Sequence, residues 1–415
     1  MNSHLIIIGG GAAGIFCAVN AARLSPGLKV TVLEKSSKLL AKVKVSGGGR
    51  CNVTHHNFDP DSFSRQYPRG ERFVRKAFYQ FFATDTIQWF EERGVSLHAE
   101  TDGRMFPTTN DSQTIIDCLL KEANQFGVSF LMQTEVKKIE RHEQWQLFLK
   151  DNQTLKADFI CIATGGSPRK EGYQWFSNLQ HHIIDPVPSL FTFQLPEHPI
   201  LSLMGISVKN VSVKIMGEKL KESGPLLITH WGFSGPVILR LSAWGARMLH
   251  NKQYDFTIRV NWLDEMKEEQ LKTIIQQQRQ ENGAKKIVAA CPFELPSRLW
   301  HYFLNTAAIE ETQRWGELTQ KQQQSLMQQL IAGEFQVSGK TTFKEEFVTA
   351  GGVDLREINP ATMESKLHEG LFFAGEVMDV DGITGGFNFQ HAWTSGMIVA
   401  TAVTSKLQTS LPSCQ

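Results

Sequence analysis

The stretch that decides the fold is Leu5-Ile6-Ile7-Ile8-Gly9-Gly10-Gly11-Ala12-Ala13-Gly14, close to the start of the chain. Its first four residues are apolar and mostly β-branched, which predicts a buried parallel strand. Glycines 9, 11 and 14 then have the G-x-G-x-x-G spacing at the point where a helix should begin. In this motif the glycines allow a tight turn, close approach of the backbone to a pyrophosphate, and close packing of helix on sheet. The N-terminal end of the helix would supply the anion site.

The residues that follow support a dinucleotide-binding α/β unit. We expect the first helix over 12–24, because Ser25-Pro26-Gly27 then ends it. Lys29–Leu33 predicts a second strand, which leads directly into Glu34. A carboxylate at that position suits a ribose with free hydroxyls. This pattern fits NAD as well as FAD.

Composition and charge exclude some broad classes. The chain has 415 residues, is 41% hydrophobic and 20% charged, and carries a formal net charge of +1, which argues against a protein-wide attraction to nucleic acid or membrane. No apolar run approaches the roughly 20 residues that span a bilayer, and the N-terminus lacks a secretory pattern. We therefore expect a cytoplasmic protein without a membrane segment. Neither a metal site nor a redox dithiol is expected, because the cysteines are scattered without a C-x-x-C, at Cys17, Cys51, Cys118, Cys161, Cys291 and Cys414.

Two further glycine-rich segments predict backbone cradles. In Ser46-Gly47-Gly48-Gly49-Arg50-Cys51-Asn52, three glycines precede an arginine that can neutralise phosphate, although a flexible surface loop is the alternative. Gly385 and Gly386 precede a helix that we expect from about residue 389, where backbone N–H groups would face a polar ring and stabilise negative charge on it.

The middle of the chain has a different character. Residues 206–262 alternate apolar and polar side chains in short runs, which indicates a small β-barrel or an antiparallel sheet. Residues 264–335 are polar and helical in pattern. We therefore predict an inserted substrate domain over 190–342, β-rich over 190–263 and helical over 264–342. The flanking parts, 1–189 and 343–415, form the α/β domain.

Taken together, the motifs resemble one family over almost the whole chain. The matching blocks are GGGAAG (9–14), SGGGRCN (46–52), GRMFP (103–107), ATGG (163–166), THWGFSGP (229–236), TAGGV (349–353) and AGEVMDVDGITGGFNFQHAW (374–393). The chain resembles the bacterial FAD-dependent flavoproteins that include aminoacetone oxidase, a bile-acid 3-oxo-Δ4,6 reductase and a ribosomal RNA dihydrouridine synthase. This resemblance implies an α/β, Rossmann-like FAD-binding fold of the two-dinucleotide-binding-domain type, with an inserted β-barrel plus helical domain.

Carried over by position, the resemblance also implies the residues that contact FAD. The pyrophosphate and the adenosine ribose would be held by Gly9, Gly11, Ala12, Ala13, Gly14, Glu34 and Lys35. The second cradle would contribute Lys42, Ser46, Gly47, Gly48, Gly49, Arg50 and Cys51. The adenine edge would be lined by Val136, Ala163, Thr164 and Gly165, and the ribityl chain by Gly375, Glu376 and Asp381. The isoalloxazine ring would face Ile383, Thr384, Gly385, Gly386, Phe387 and Asn388. One departure is Leu40-Ala41-Lys42, where the family commonly has Gly-Arg-Lys, so one cationic contact is lost.

Three side chains are candidates for moving a proton at the substrate. Cys51 follows the cationic Arg50, which can lower a thiol pKa, although a small packing residue is an equal alternative. His230 lies in the most distinctive loop of the insert and can act as an acid–base group or simply fix that loop. His391 fits a structural or flavin-adjacent role better.

These features leave three functions open. The first is an FAD-dependent oxidoreductase that reduces a C=C bond, including that of uridine in ribosomal RNA. NAD(P)H would then bind only transiently, because the chain has no second G-x-G-x-x-G. The second is an amine or aminoketone oxidase that produces hydrogen peroxide. The third is a non-catalytic flavin-dependent RNA-binding or assembly factor, which the basic cluster over 65–76 would favour, although a solvated surface explains that cluster better. The substrate, small molecule or RNA, and the choice between monomer and homodimer also stay open.

Overall fold

A computed structural model describes residues 3–341 and 348–410. The chain divides into two compact units: a core unit, from residues 1–189 and 343–415, and an insert unit, from residues 190–342. The expected boundary at 342/343 and Cys414 lie outside the described residues.

The helices and strands of the described residues are numbered along the chain. The α-helices are α1 (Ala12–Leu24), α2 (Ala41–Gly49), α3 (Pro60–Ser64), α4 (Glu71–Phe78), α5 (Ala83–Glu91), α6 (Ser112–Gln125), α7 (Pro236–Trp244), α8 (Ala246–Asn251), α9 (Glu268–Glu281), α10 (Ser297–Thr306), α11 (Gln320–Ala332) and α12 (Phe387–Ser410). The strands are β1 (His4–Ile8), β2 (Lys29–Glu34), β3 (Thr54–His55), β4 (Leu97–Ala99), β5 (Arg104–Pro107), β6 (Ser129–Met132), β7 (Val136–Arg141), β8 (Trp145–Leu149), β9 (Thr154–Ala157), β10 (Phe159–Ile162), β11 (Ile183–Ser189), β12 (Thr192–Gln194), β13 (Ser207–Ile215), β14 (Lys221–Ile228), β15 (Gly232–Ser234), β16 (Asp255–Asn261), β17 (Gly333–Ser338), β18 (Lys340–Thr341), β19 (Val348–Val353) and β20 (Leu371–Phe373).

The core unit is built on a parallel sheet of five strands in the order β20-β10-β1-β2-β6. Ile8 is in register with Leu33 on one side and with Ile162 on the other, and Ile162 is in register with Phe373. The carboxyl ends of these four strands therefore meet at one edge of the sheet, which is where open α/β sheets bind ligands. This register brings the segments after β1, β2, β10 and β20 together.

Two helices that are far apart in sequence pack on this sheet. Helix α1 has the bounds predicted from the sequence, and ten of its thirteen residues are buried. Gly396 of α12 lies close against it, since a Cβ there would be 2.8 Å from the carbonyl oxygen of Ala13. The Phe16 ring lies 4.7 Å from the Trp89 ring and 5.3 Å from the Trp393 ring, so aromatic packing joins α1, α5 and α12.

The insert unit has an antiparallel sheet with the strand order β17-β16-β13-β14-β15-β12-β18. The alternating pattern allowed a β-barrel or an antiparallel sheet, and the resemblance implied a β-barrel. Among the described residues, the strand pairings form one antiparallel sheet, in which the end strands β17 and β18 pair with β16 and β12 and not with each other. Helices α9 to α11 bury one apolar side each, as the polar and glutamine-rich sequence predicted. In α11, for example, Leu326, Met327 and Leu330 are buried.

Within the described part of the chain, no helix is both long and apolar enough to cross a membrane.

Candidate cofactor-binding site

The first glycine turn, between β1 and α1, shows which glycines the protein itself requires. Gly9 has φ +116°, and a Cβ there would lie 2.3 Å from the carbonyl oxygen of Ala163. A Cβ at Gly14 would lie 2.0 Å from the carbonyl oxygen of Gly9. Gly11 is different, because nothing lies within 4 Å of the position a Cβ would take. Gly9 and Gly14 are therefore needed for packing, whereas Gly11 leaves open space before the first turn of α1, as a bound pyrophosphate requires.

Glu34 lies at the end of β2, beside this turn. Its Oε2 accepts a hydrogen bond of 2.8 Å from the Gly10 N–H, and its Oε1 accepts one of 2.8 Å from the Ser36 N–H. Two backbone donors thus fix a half-buried carboxylate at the edge of the sheet, where it can accept further hydrogen bonds from ribose hydroxyls. The Thr134 N–H donates to the Glu34 carbonyl oxygen at 2.9 Å, so the segment that leads into Val136 lies beside Glu34. Lys35 is exposed next to it.

The second glycine cradle interrupts helix α2. Gly47, Gly48 and Gly49 all have positive φ, and a Cβ at Gly47 would lie 2.9 Å from the Phe106 ring. Arg50 does not project freely, because its Nη1 donates to the Glu100 carboxylate at 2.6 Å and its guanidinium stacks 4.0 Å from the Phe106 ring centre. Gly47 and Gly48 are exposed, so their backbone is open to a ligand, with Arg50 fixed beside them.

The expected activation of the Cys51 thiol is wrong in this structure. Cys51 is completely buried, and burial raises its thiol pKa to about 12, with a hydrogen bond to Ser46 opposing that rise. The neighbouring Arg50 cannot counteract burial because its guanidinium is paired with Glu100. The geometry therefore favours the alternative reading of Cys51 as a small packing residue beside the cradle.

The third glycine turn, Gly385-Gly386, leads into α12. Both glycines have positive φ, and a Cβ at Gly386 would lie 2.4 Å from the Thr54 carbonyl oxygen. Hydrogen bonds of 2.8 Å and 2.9 Å between Gly382 and the Asn388 side chain close the loop, and the Tyr67 hydroxyl donates to the Phe387 carbonyl oxygen at 2.6 Å. The loop is thus held by neighbouring segments, with the start of a long helix directly behind it.

Asp381 is not available to a ribityl chain in the expected way. Its carboxylate is fully buried and accepts hydrogen bonds from Arg69 and from the Ser189 hydroxyl, the latter at 2.7 Å. Glu376 and Lys42, both predicted to contact FAD, form an ion pair of 2.8 Å with each other. Glu376 also accepts from the Thr349 N–H at 2.8 Å. Asp381 is therefore a structural carboxylate, whereas the Lys42–Glu376 pair leaves its polar groups partly exposed.

The two histidine candidates lie in different surroundings. His391 is 2% exposed in α12, and burial lowers its pKa to about 4, so the imidazole is neutral at pH 7. Such burial keeps it from bulk solvent and fits a cofactor-adjacent role better than proton exchange with substrate. His230 belongs to the insert unit and is exposed in the turn before β15, with its ring 4.3 Å from that of Trp231.

Sequence reasoning missed two residues beside the third glycine turn. The Asn52 Oδ1 lies 2.9 Å from where a Cβ on Gly386 would be. The His55 ring contacts Gly385 through a hydrogen bond of 3.0 Å from Nδ1 to the carbonyl oxygen. Asn52 directly follows the SGGGRC segment and His55 comes three residues later, but nothing in their local pattern shows that they meet a turn more than three hundred residues away.

The residues present fit an FAD. Several buried polar atoms have no hydrogen-bond partner in the described part of the chain, and two of them, Asn52 Oδ1 and Thr349 Oγ1, belong to motif blocks that carry the family resemblance. Buried polar groups are normally satisfied, so such atoms indicate a missing partner. Three glycine turns, of which Gly47 and Gly48 in the second are exposed, a fixed carboxylate at the end of β2 and these polar atoms are what a dinucleotide with a polar ring requires. Of the remaining predicted contacts, Ile383 and Thr384 directly precede Gly385, and Thr164 lies in the segment that follows β10.

Comparisons with known proteins agree with this geometry. Residues 3–402 match the family described as HI0933-like protein Rossmann domain. The chain is 30% identical over 405 residues to the ribosomal RNA dihydrouridine synthase of Escherichia coli (strain K12), covering 95% of this chain and 96% of that protein. It is 26% identical over 417 residues to the 3-dehydro-bile acid delta(4,6)-reductase of Clostridium scindens (strain ATCC 35704), covering 96% of this chain and 98% of that protein.

Among solved structures, the FrdA chain of Escherichia coli quinol fumarate reductase, in a mutant form, has a TM-score of 0.52 at 14% identity, covering 100% of this chain and 72% of that chain. At this identity the likeness concerns the fold alone. The family predicted from the sequence motifs is thus confirmed, as is the Rossmann-type fold. The chain belongs to the HI0933-like family, and it is an FAD-dependent oxidoreductase.

Proposed function

We propose that this protein is an NAD(P)H-linked reductase that uses FAD to add hydrogen across a carbon–carbon double bond, with uridine in ribosomal RNA as the first candidate substrate. The observation that carries the proposal is the Gly385-Gly386 turn at the start of α12. Backbone N–H groups at a helix N-terminus stabilise negative charge, and a flavin ring acquires negative charge when it is reduced. The site is therefore suited to hold a reduced flavin.

The named relatives favour reduction of a C=C bond over oxidation of an amine. One is named as a dihydrouridine synthase and the other as a delta(4,6)-reductase, so both names refer to carbon–carbon double bonds. Their nearly full-length match to this chain supports the same reaction class here. The two names differ in substrate, from a base in RNA to a steroid acid, and the RNA-modifying relative has the higher identity.

The chain's own residues would bind and orient the cofactor. The turn at Gly11 and the first N–H groups of α1 would hold the pyrophosphate, and Glu34 the adenosine ribose. The loop at Gly385 would orient the polar ring. When bound, FAD supplies the hydride-transfer chemistry. NAD(P)H would bind transiently, because the chain has one dinucleotide fingerprint.

The proton that completes the reduction needs a donor with access to substrate. Cys51 and His391 are buried, and the pKa shifts of both disfavour exchange at neutral pH. His230 is exposed in the insert unit and therefore stays the acid–base candidate.

Two measurements test the proposal. In anaerobic stopped-flow mixing, we expect NADPH or NADH to remove the visible absorbance of the oxidised flavin quickly, and aminoacetone to leave it unchanged. Rapid bleaching by the amine, with hydrogen peroxide formed on admission of air, would instead establish an amine oxidase.

Mass spectrometry of ribosomal RNA should then show loss of a dihydrouridine when the gene is deleted and its return on complementation. If NADPH bleaches the flavin but the ribosomal RNA of the deletion strain is unaltered, ribosomal RNA is excluded as the substrate, and small enones are the next substrates to test.

A further inference from the structure

His55 joins two loops of the core unit that are distant in sequence. Its Nδ1 lies 3.0 Å from the Gly385 carbonyl oxygen, and its ring stacks on Phe387 with 4.8 Å between the ring centres. On its other side, a Cβ at Gly103 would lie 2.5 Å from the His55 Nε2, so the turn between β4 and β5 packs directly against the ring. The imidazole therefore fills the space between Gly103 and the third glycine turn.

The contact with Gly385 determines which nitrogen carries the proton. A carbonyl oxygen can only accept, so the Nδ1 of His55 must donate. Burial lowers the pKa of His55, with the Gly385 carbonyl and Asp102 opposing that shift and His56 and Arg104 adding to it. The ring is consequently a neutral imidazole at pH 7, protonated at Nδ1.

The turn that receives this hydrogen bond is made of residues with little intrinsic rigidity. Gly385 and Gly386 have φ of +135° and +93°, and glycine loses the most conformational freedom when it is fixed. Electrostatic stabilisation of a developing charge depends on donors that are oriented beforehand. The Thr54 carbonyl limits Gly386 on one side, and His55 limits Gly385 on the other.

We propose that His55 is a positioning residue that fixes the Gly385-Gly386 turn, so that the N–H groups there stabilise negative charge on the reduced flavin. This inference rests on the role given to that turn in the proposed function. It adds a residue from β3, far from the turn in sequence, and predicts an effect on the flavin itself that needs no knowledge of the substrate.

Three substitutions separate this role from simple packing. His55→Phe keeps an aromatic ring for stacking on Phe387 but removes the donor. His55→Asn keeps a shorter donor and serves as the conservative variant. His56→Phe is the matched control, because His56 is the adjacent, exposed histidine and its ring contacts Phe58 rather than the turn.

The holoproteins are compared by titration of the oxidised flavin with sulfite, by the flavin reduction potential and by FAD affinity. Sulfite adds to flavin with gain of negative charge on the ring, so its affinity reports charge stabilisation without turnover. We expect His55→Phe to raise the sulfite dissociation constant about fivefold to tenfold, as for one lost oriented hydrogen bond, and to make the potential more negative. His55→Asn should recover part of the effect, and His56→Phe should match the wild type.

A sulfite dissociation constant within about twofold of the wild type in FAD-loaded His55→Phe would overturn the proposal, as would equal effects in His56→Phe. If His55→Phe does not retain FAD, nitrogen NMR of the histidine-labelled wild-type holoprotein decides. The expected His55 signal is that of a neutral ring protonated at Nδ1, and protonation at Nε2 alone overturns the proposal. Failure of NADPH or uridine to react would count against the proposed function but would leave these results unchanged.

Discussion

The guanidinium of Arg69 and the carboxylate of Asp381 form a buried ion pair that joins the segment before α4 to the segment before α12. The Nε of Arg69 lies 2.5 Å from Oδ1 of Asp381, its Nη2 also contacts Oδ2, and the Ser189 hydroxyl donates to the same carboxylate. Burial raises the pKa of Asp381, and the guanidinium and the hydroxyl oppose that rise. The pair anchors the loop that carries Gly385 and Gly386.

Arg69→Met is therefore expected to destabilise the fold by about 3–5 kcal/mol, because it leaves a buried carboxylate without its partner. The measurement is the free energy of unfolding in urea at pH 7. Arg72→Met, at an exposed position in the following helix, is the control and should change stability by no more than about 0.5 kcal/mol. Equal stability of the two variants would show that the ion pair does not hold the loop.

The glycines of the first turn should separate cofactor binding from folding. Gly11→Ala should change the unfolding free energy of the apoprotein by no more than about 1 kcal/mol, because its Cβ meets no protein atom, yet weaken FAD binding more than tenfold. Gly14→Ala should cost about 2–3 kcal/mol, since its Cβ would lie 2.0 Å from a backbone oxygen. FAD fluorescence titration and chemical unfolding measure the two effects. Wild-type FAD affinity in Gly11→Ala would contradict the placement of the pyrophosphate.

Glu34→Ala should weaken FAD retention by about 1–3 kcal/mol, because the carboxylate accepts ribose hydroxyls and also fixes the Gly10 N–H. Glu34→Gln should show a smaller loss of FAD affinity, since its amide oxygen still accepts hydrogen bonds. The exposed Glu143→Ala is the control. Purification of Glu34→Ala with full flavin occupancy and unchanged FAD affinity would contradict the ribose role.

Cys51 should be unreactive in the native protein. With a thiol pKa of about 12, only about one molecule in ten thousand is a thiolate at pH 8, and the sulfur is buried as well. Iodoacetamide labelling followed by peptide mass spectrometry should leave Cys51 unmodified in the folded protein and modify it in urea. Cys51→Ala should keep the wild-type pH–rate profile. Loss of one limb of the pH–rate profile in Cys51→Ala would instead show that Cys51 acts as an acid.

His391 should make the fold sensitive to acid. Its pKa is about 4 in the folded protein against 6.5 for an ordinary histidine, so the unfolded chain binds the proton more readily and stability is lost as the pH falls from about 6.5 to 4. Between about pH 7 and 5, the stability advantage of the wild type over His391→Leu should fall by about 2 kcal/mol. Urea unfolding at both pH values, with both proteins in the same cofactor state, measures this difference in unfolding free energy. Burial also lowers the pKa of His181 to about 4, but both proteins contain His181, so we expect its contribution to cancel in the difference. A pH-independent difference would rule out titration of His391.

Much of the core unit could be predicted because its signals are local. The apolar run before Gly9, the glycine turn after it and the Ser25-Pro26-Gly27 segment that ends α1 determine backbone conformation within a few residues, and the observed bounds of α1 match the prediction. The seven strands of the insert could not be ordered in this way. Strand pairing depends on contacts between distant residues, and alternation alone fits an open sheet as well as a barrel.

The roles of polar side chains were harder to predict, as Cys51 and Asp381 show. Both stand in glycine-rich segments of the cofactor site, yet both are completely buried. A neighbouring arginine in sequence indicated an activated thiol, whereas in space that arginine pairs with Glu100. The tertiary structure determines which charged groups lie close together, so residues adjacent in sequence do not predict the pKa of a side chain.

By itself, the sequence determined the Rossmann-type unit, because glycine spacing and strand patterns restrict the backbone directly. The cofactor class and the family followed from the resemblance of its motif blocks to known flavoproteins. The tertiary structure alone decided that Arg69 pairs with Asp381, that Cys51 is buried, and that His55 contacts Gly385. Those contacts join residues hundreds of positions apart. They form only when the five-stranded sheet aligns its strand ends and α12 packs on α1, which brings the separate glycine turns to one edge.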